Sequence, residues 1–135
     1  MSGFNAKTRY ALLAALDLAQ HHGSKKPVKA REIAARTGVP PKYLVHILLR
    51  LKRKALVNSS RGPSGGYWLV RPPELVSVAE VIGAVQEGRK RSPGARAGSE
   101  HEEIVSRLWT DAERKRHQFL SQVTLVDLFG DKDAV

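Results

Sequence analysis

The spacing of apolar residues predicts three helices in the first part of the chain. Leucines and alanines recur at helical spacing over 6–20, and Asn5 is well placed to cap the start of this helix. A shorter helix is predicted over 30–37, because Gly38 follows it where helices commonly end. The third predicted helix covers 41–54 and begins with a proline, whose missing N–H costs nothing in a first helical turn.

After the third helix the pattern changes to that of two short strands. Residues 56–60 and 67–70 are rich in strand-forming types, and the intervening 61–66 contains a proline and three glycines. This composition favours a hairpin whose tip can lie close to another backbone. Ser77 then begins a capping-box sequence, which predicts a helix over 78–88.

The last third is predicted to form one long helix after a flexible loop. Residues 89–99 contain no large apolar side chain and are predicted to form a basic loop. Acidic residues then suit a helix N-terminus, and helical spacing continues over 100–123. Thr124 is predicted to cap a short turn over 125–129, with a frayed end over 130–135. The apolar stripe of the long helix consists of Ile104, Leu108, Trp109, Ala112, Phe119, Leu120 and Val123.

The positive charge of the chain is concentrated in its first half. The 135 residues, enough for one domain, carry 23 Lys and Arg against 13 Asp and Glu, a net charge of +10. Residues 1–72 hold 14 basic and 2 acidic side chains, or +12, whereas 73–135 hold 9 basic and 11 acidic ones, or −2. A membrane-binding helix would concentrate its charge in one stretch, but here several elements carry it. The distribution favours nucleic acid as the partner, and basicity that serves only solubility is the alternative.

The composition excludes several kinds of chemistry. The chain has no cysteine, so it cannot form disulfides, thiolate nucleophiles, zinc–thiolate sites or cysteine-ligated iron–sulfur clusters. No apolar run approaches the roughly 18 residues that a membrane span needs, and the first residues lack the apolar region of a signal peptide. We therefore expect a cytoplasmic protein with no membrane contact, associated with the nucleoid when DNA is bound.

Residues 33–47 have the pattern of a helix-turn-helix. Ala34 is small enough to let two helices cross closely, and Gly38 can adopt the positive φ that reverses the chain. Val39, Leu44 and Ile47 are spaced to fill the gap between the helices. A Gly-rich basic hairpin directly after the second helix extends the pattern to a winged helix. The predicted fold is therefore mainly α, with a small β-hairpin wing.

A winged helix reads DNA with the second helix of its helix-turn-helix, whose N-terminal residues point to base edges in the major groove. Lys42 could donate to guanine and Val45 could contact a thymine methyl group. Arg61 lies at the predicted tip of the wing, where a narrow minor groove would attract it. The predicted DNA-contacting residues are Lys42, Tyr43, Val45, His46, Arg53, Arg61, Ser64 and Gly65.

Three of these assignments have a structural alternative. Arg53 belongs to a basic trio at the end of its helix, and such a trio also compensates the helix dipole. Tyr43 would serve equally well as part of the core. His46 would be an ordinary solvated histidine on the surface.

The sequence predicts neither an enzyme nor a metal site. Ser64 lies in a Gly-rich loop, but no base is paired with it, and the loop lacks the Lys-Ser/Thr ending of a nucleotide-binding loop. His21 and His22 are adjacent, so they point to different sides of a helix, and His101 beside two glutamates is the other weak candidate. A winged helix that binds only protein partners is the remaining alternative to a DNA-binding regulator.

At the same positions the sequence resembles the Rrf2 family, bacterial winged-helix transcription regulators that include the IscR, NsrR and CymR types. The wing sequence over 61–69 is the most specific part of the resemblance, which extends over nearly the whole chain. The other matching segments are 7–12, 32–34, 43–44, 51–57, 81–82 and 123–128, together with Trp109.

The resemblance implies a homodimer that binds double-stranded DNA at a palindromic operator, usually as a repressor. Residues 1–88 would form the DNA-binding domain, 89–99 the loop, and 100–130 the dimerisation helix with a short C-terminal helix. In the dimer each long helix would pack against the partner's copy. The predicted dimerisation residues are Ile104, Leu108, Trp109, Phe119, Leu120 and Val123.

The chain departs from the family pattern in ways that matter for its cofactor and its operator. Many members hold an iron–sulfur cluster through three cysteines in the loop that corresponds to 89–99, and this chain has none. It therefore resembles the cluster-free members, some of which respond to a protein partner or an unidentified small molecule, and no cofactor is predicted. Pro40, Pro41 and Val45 differ from the best-known relatives at the recognition helix, so the operator is predicted to differ too.

Overall fold

The computed structural model describes residues 5–24, 26–86 and 98–134, with side chains up to residue 129. Six α-helices and one two-stranded antiparallel sheet make up this part of the chain. The helices are α1 (Ala6–Gln20), α2 (Ala30–Thr37), α3 (Pro41–Arg53), α4 (Val78–Val85), α5 (Glu100–Ser121) and α6 (Leu125–Ala134), and the strands are β1 (Val57–Ser60) and β2 (Gly66–Leu69). The prediction of a mainly helical fold with a hairpin is confirmed.

The predicted signals for α1 to α3 work as expected. Asn5 caps α1, since its Oδ1 accepts a hydrogen bond from the Thr8 backbone N–H at 2.9 Å. Gly38 ends α2 with φ at 82°, a left-handed conformation that favours glycine. Pro41 is the first residue of α3. Local sequence therefore sets one boundary of each of these three helices.

The core lies around α1, which packs against α2, α3, α4 and β2. Five of its residues are apolar and buried, and the facing helices and β2 cover them. The largest fully buried side chains are Leu18, Ile33, Val39, Leu44, Leu48, Leu51, Val57, Val76, Val81, Val85 and Leu125. Leu125 comes from α6, so the C-terminal helix contributes to the same core as the first half of the chain.

Helix α6 differs from the predicted short turn with a frayed end. It continues to Ala134, and Leu125 at its start is fully buried. Thr124 and Asp127 cap it reciprocally: each side chain accepts a hydrogen bond from the other residue's backbone N–H, at 3.0 and 3.2 Å. The backbone on either side of Thr124 also pairs with 76–78, which holds the start of the helix against the core. Thr124 and 76–78 are far apart in sequence, so the local pattern around Thr124 does not indicate this anchoring.

The helix predicted over 78–88 ends earlier, at Val85, because Gln86 adopts an extended backbone with ψ at 138°. The predicted loop over 89–99 lies outside the described residues except at its end. There Ser99 caps α5, accepting a hydrogen bond from the Glu102 N–H at 3.1 Å. The long helix begins where it was predicted and stops two residues short of Val123.

The connection between α3 and β1 contains one backbone conformation that the sequence does not predict. Ala55 has φ at 62°, and it is the single non-glycine residue with positive φ in the described part of the chain. The Leu56 N–H donates to the Leu51 carbonyl oxygen at 3.0 Å and the Ala55 N–H to that of Lys52 at 2.9 Å, which is the Schellman pattern of a helix end. Glycine is the residue that usually occupies this position.

Replacing Ala55 with glycine is expected to stabilise the protein. Glycine relieves the strain of the left-handed conformation, and this gain in free energy exceeds the cost of the greater entropy that glycine gives the unfolded chain. The free energy of unfolding should therefore rise by about 0.5–1 kcal/mol. Ala35→Gly is the matched control, because Ala35 is exposed within α2 and its replacement should lower the same quantity by about 1 kcal/mol. Urea unfolding measures both. A destabilised Ala55→Gly variant would contradict the assigned conformation.

Candidate nucleic-acid interface

The helix-turn-helix is formed by α2 and α3, with the predicted residues between them. Val39, Leu44 and Ile47 are buried, and Ala34 packs partly buried against the same cluster. Because these residues face inward, the opposite face of α3 is left in solvent. The predicted base readers Lys42, Tyr43, Val45 and His46 are all exposed on this outer side.

Tyr43 is not part of the core, which resolves one of the alternatives. Its side chain is 60% exposed, and its ring lies 5.7 Å from that of Tyr10, centroid to centroid, at an interplanar angle of 49°. Such a tilted aromatic contact restrains the Tyr43 ring without burying it. Tyr10 therefore positions a residue of the exposed α3 face from α1, a role that sequence reasoning did not assign to it.

The basic trio at the end of α3 does not act as a unit. The Lys52 Nζ donates to the Ser59 Oγ at 2.9 Å and so links the helix to β1. Arg53 and Lys54 are exposed, and neither side chain makes a hydrogen bond or ion pair with the described part of the chain. Arg53 is thus available for a phosphate, although its position also suits compensation of the helix dipole.

The wing is attached to the residues before α2 by a contact that the sequence pattern does not show. The N–H and the carbonyl oxygen of Val28 both pair with those of Tyr67, each at 2.8 Å. Gly66 lies so close to this pairing that an added Cβ would be 2.6 Å from the Val28 carbonyl oxygen. The base of the wing is therefore fixed to residue 28 by a close backbone approach.

The tip of the wing is held by a lysine from outside the hairpin. The Lys29 Nζ donates to the carbonyl oxygens of Pro63 and Gly65, the latter at 3.2 Å. Gly65 is buried inside the turn, where an added Cβ would lie 2.3 Å from the Ser60 carbonyl oxygen. Of the predicted wing contacts, Arg61 and Ser64 are exposed and Gly65 is not. The glycine thus shapes the turn that presents Arg61.

The two acidic residues of the first 72 are both used locally, so they do not neutralise the basic surface. Asp17 is buried and accepts hydrogen bonds from Arg36 Nε at 2.8 Å and Nη2 at 3.0 Å, which link α1 to α2. Those hydrogen bonds raise the pKa of Arg36 above its ordinary value. The Glu32 carboxylate accepts a hydrogen bond from the Lys29 backbone N–H at the start of α2. On α3 and the wing, the side chains of Lys42, Arg53 and Arg61 are exposed and form no ion pair within the described residues, so this surface attracts a polyanion.

Helix α5 has no buried residue in spite of its apolar stripe. Ile104, Leu108, Trp109 and Phe119 are 55–64% exposed, whereas Leu120 is half-buried, as is Val123 just beyond the helix. Val105 is 57% exposed as well, and the predicted stripe did not include it. Large apolar side chains clustered on one exposed face commonly mark a protein–protein contact.

Neither a metal centre nor a membrane span is found among the residues that the structure describes. Within them, no three His, Asp or Glu side chains come close enough together to hold a metal ion. None of their helices combines the length and apolarity that crossing a membrane requires.

A helix-turn-helix with an exposed basic face and a wing beside it defines the class of winged-helix DNA-binding proteins. Within that class the chain belongs to the Rrf2 family. The family profile, described as an iron-dependent transcriptional regulator, matches residues 4–131.

Individual relatives agree with this assignment. A regulator of Azotobacter vinelandii named ORF2, of the helix-turn-helix type, is 41% identical over 94% of this chain and 79% of its own length. The IscR regulator of Sodalis glossinidius is 37% identical over 95% of this chain and 79% of its own. The structure of IscR from T. potens superimposes with a TM-score of 0.79 at 29% identity, covering 96% of this chain and 88% of that one.

These comparisons confirm the winged-helix fold, the assignment as a DNA-binding transcriptional regulator and the prediction that the chain is not an enzyme. The iron in the family description raises the question of a cofactor. Iron–sulfur clusters are held mainly by cysteine thiolates, and this chain has no cysteine. Its residues therefore do not fit such a cluster.

Proposed function

We propose that the protein is a homodimeric repressor that binds a palindromic operator without an iron–sulfur cluster. The observation that carries the proposal is the pairing of two surfaces. One is the basic face of α3 and the wing, and the other is the exposed apolar stripe of α5. A two-fold dimer through α5 would present two copies of the basic face, and such a dimer requires an operator with matching half-sites.

In this proposal the eight DNA-contacting residues divide by role. Lys42, Val45 and His46 read base edges from the exposed side of α3, and Tyr43 supports them through its contact with Tyr10. Three further residues contact other parts of the DNA. Arg53 binds phosphate at the end of α3, and Arg61 and Ser64 contact the minor groove from the wing. Gly65 contributes through the backbone of the turn.

A repressor of this kind acts by occupying DNA that RNA polymerase needs, so we expect the protein in the cytoplasm and on the nucleoid. The test is recovery of bound fragments from the fragmented genome, followed by measurement of affinity for the recovered site. The recovered fragments should share a palindrome, and the dissociation constant should rise about 10³-fold or more between 50 and 200 mM salt if six or more phosphates are contacted. Absence of any bound fragment at low salt would favour a protein-interaction module instead.

Replacing Arg61 with alanine is expected to weaken operator binding without affecting folding. The side chain is exposed at the wing tip and makes no hydrogen bond or ion pair within the described residues. Loss of one minor-groove arginine should raise the operator dissociation constant about tenfold. Arg107→Ala removes the same charge from exposed α5 and serves as the control, for which no such change is expected. Equal gel-shift affinities for the two variants would contradict the role of the wing.

A further inference from the structure

A cavity of about 230 Å³ lies between the end of α1 and the base of the wing. His21 and His22 line one side, Lys26 and Pro27 another, and Trp68 and Leu69 of β2 the third. It is separate from the exposed face of α3 and from the stripe of α5, so the DNA-binding and dimerisation surfaces do not account for it.

The lining of this cavity combines apolar walls with unused hydrogen-bond donors. The His22 ring, the Lys26 ammonium and the Trp68 indole N–H make no hydrogen bond or ion pair with the residues that the structure describes. The His21 Nδ1 is 2.8 Å from the Asp17 carbonyl oxygen, which orients the ring and leaves its Nε2 free. None of the described residues that line the cavity is acidic.

We propose that this cavity is an effector site for a small organic anion with a flat apolar body, such as an aromatic carboxylate. The chemistry follows from the lining: the Lys26 ammonium matches a carboxylate, and Trp68 and Pro27 offer surfaces for a ring. A group without charge would leave the lysine without its partner, and a dianion would place a second charge against the apolar walls.

The position of the cavity gives the ligand a route to the wing. Lys26 and Pro27 directly precede Val28, and Trp68 directly follows Tyr67, so the ligand would touch both of the segments that the Val28–Tyr67 pairing joins. That pairing fixes the base of the wing. A ligand that favours one arrangement of this base must change the DNA affinity, and DNA must change the ligand affinity by the same factor. This regulatory consequence rests on the proposed function, whereas binding in the cavity does not.

Benzoate is the probe for binding, and benzamide is its uncharged counterpart of nearly equal shape. In NMR titrations of the full chain, benzoate should shift the Trp68 indole N–H and the neighbouring His22 and Lys26 signals. Lys26→Gln should weaken benzoate binding about fivefold, the upper range for an exposed ion pair, and leave benzamide binding unchanged. Lys54→Gln, which removes an exposed lysine elsewhere, is the control. Shifts spread over the whole basic half, or equal effects of the two variants, would overturn the site.

A second measurement tests the regulatory role separately. Saturating benzoate should change the operator dissociation constant at least twofold in the unmodified protein, and Trp68→Leu should abolish that change. An unchanged operator affinity with benzoate bound would refute the regulatory role. If benzoate binds in the cavity while no DNA fragment binds at all, the proposed function fails and the cavity remains a ligand site.

Discussion

Replacing Gly66 with alanine is expected to detach the wing from the rest of the DNA-binding unit. Gly66 has φ at 156°, a conformation that residues with a side chain rarely adopt. Its added Cβ would lie within 2.8 Å of three backbone atoms of Val28. A side chain can rotate away from a clash, but a backbone that is itself paired cannot. The clash is relieved only if the Val28–Tyr67 pairing opens.

The size of the effect follows from the backbone strain at residue 66 and from the loss of the two Val28–Tyr67 hydrogen bonds. A strained backbone conformation costs about 1–3 kcal/mol, and the two lost hydrogen bonds add about 1 kcal/mol each. We therefore expect the free energy of unfolding to fall by about 3–5 kcal/mol. The helix-turn-helix core is untouched, so the variant should still fold, while its operator affinity falls at least as much as in Arg61→Ala, because the whole tip moves.

Gly83→Ala is the matched control for Gly66→Ala. Gly83 lies within α4, and an added Cβ there meets nothing within 4 Å. Alanine in a helix interior should raise the free energy of unfolding by about 0.5–1 kcal/mol. Urea unfolding and gel shifts on both variants compare the two glycines directly. A Gly66→Ala protein with unchanged stability and operator affinity would show that the wing does not depend on its approach to Val28.

The sequence predicts most of the local structure because local chemistry determines it. Asn5, Gly38 and Pro41 set helix boundaries through caps and fixed backbone angles, and these act within a few residues. The exposed side of α3 could also be predicted, because the spacing of Leu44 and Ile47 determines which face is buried. The class of site therefore follows from periodicity and charge.

The sequence could not predict the contacts that join segments distant along the chain. Val28 stands in a connection rich in lysine and proline, and nothing local indicates that it pairs with Tyr67. The same holds for the Lys29 side chain at the wing tip and for Tyr10 beside Tyr43. Each contact depends on how the elements pack, so it appears only once the fold is known. These contacts support the predicted DNA-contacting residues, so periodicity could predict which side chains are exposed but not which residues position them.

The second large effect is expected from Leu108→Asp at the exposed stripe of α5. Leu108 is 64% exposed, and the 22-residue helix, about 33 Å long, buries none of its own side chains in the described chain. If the stripe pairs with a second copy, each protomer would place one aspartate in the apolar contact. An unpaired carboxylate there costs several kcal/mol, so the dimer dissociation constant should rise about 100-fold or more.

A control must distinguish the effect of the introduced charge from the effect of its position on the helix. Thr110→Asp introduces the same charge two residues further along, which is about 200° around the helix and away from the stripe. This control should sediment like the unmodified protein, whereas Leu108→Asp should sediment as a monomer. Circular dichroism should show unchanged helix content in both, since Leu108 is not part of the core.

Loss of the dimer should also change DNA binding in a way that removal of a basic side chain does not. A dimer binds the second half-site as an intramolecular event, so the separated protomers lose affinity without losing any contact within one half-site. Leu108→Asp should therefore bind the full operator no more tightly than an isolated half-site, while its salt dependence on the half-site stays that of the unmodified protein. A Leu108→Asp protein that still sediments as a stable dimer would remove α5 as the interface, and with it the reason to expect a palindromic operator.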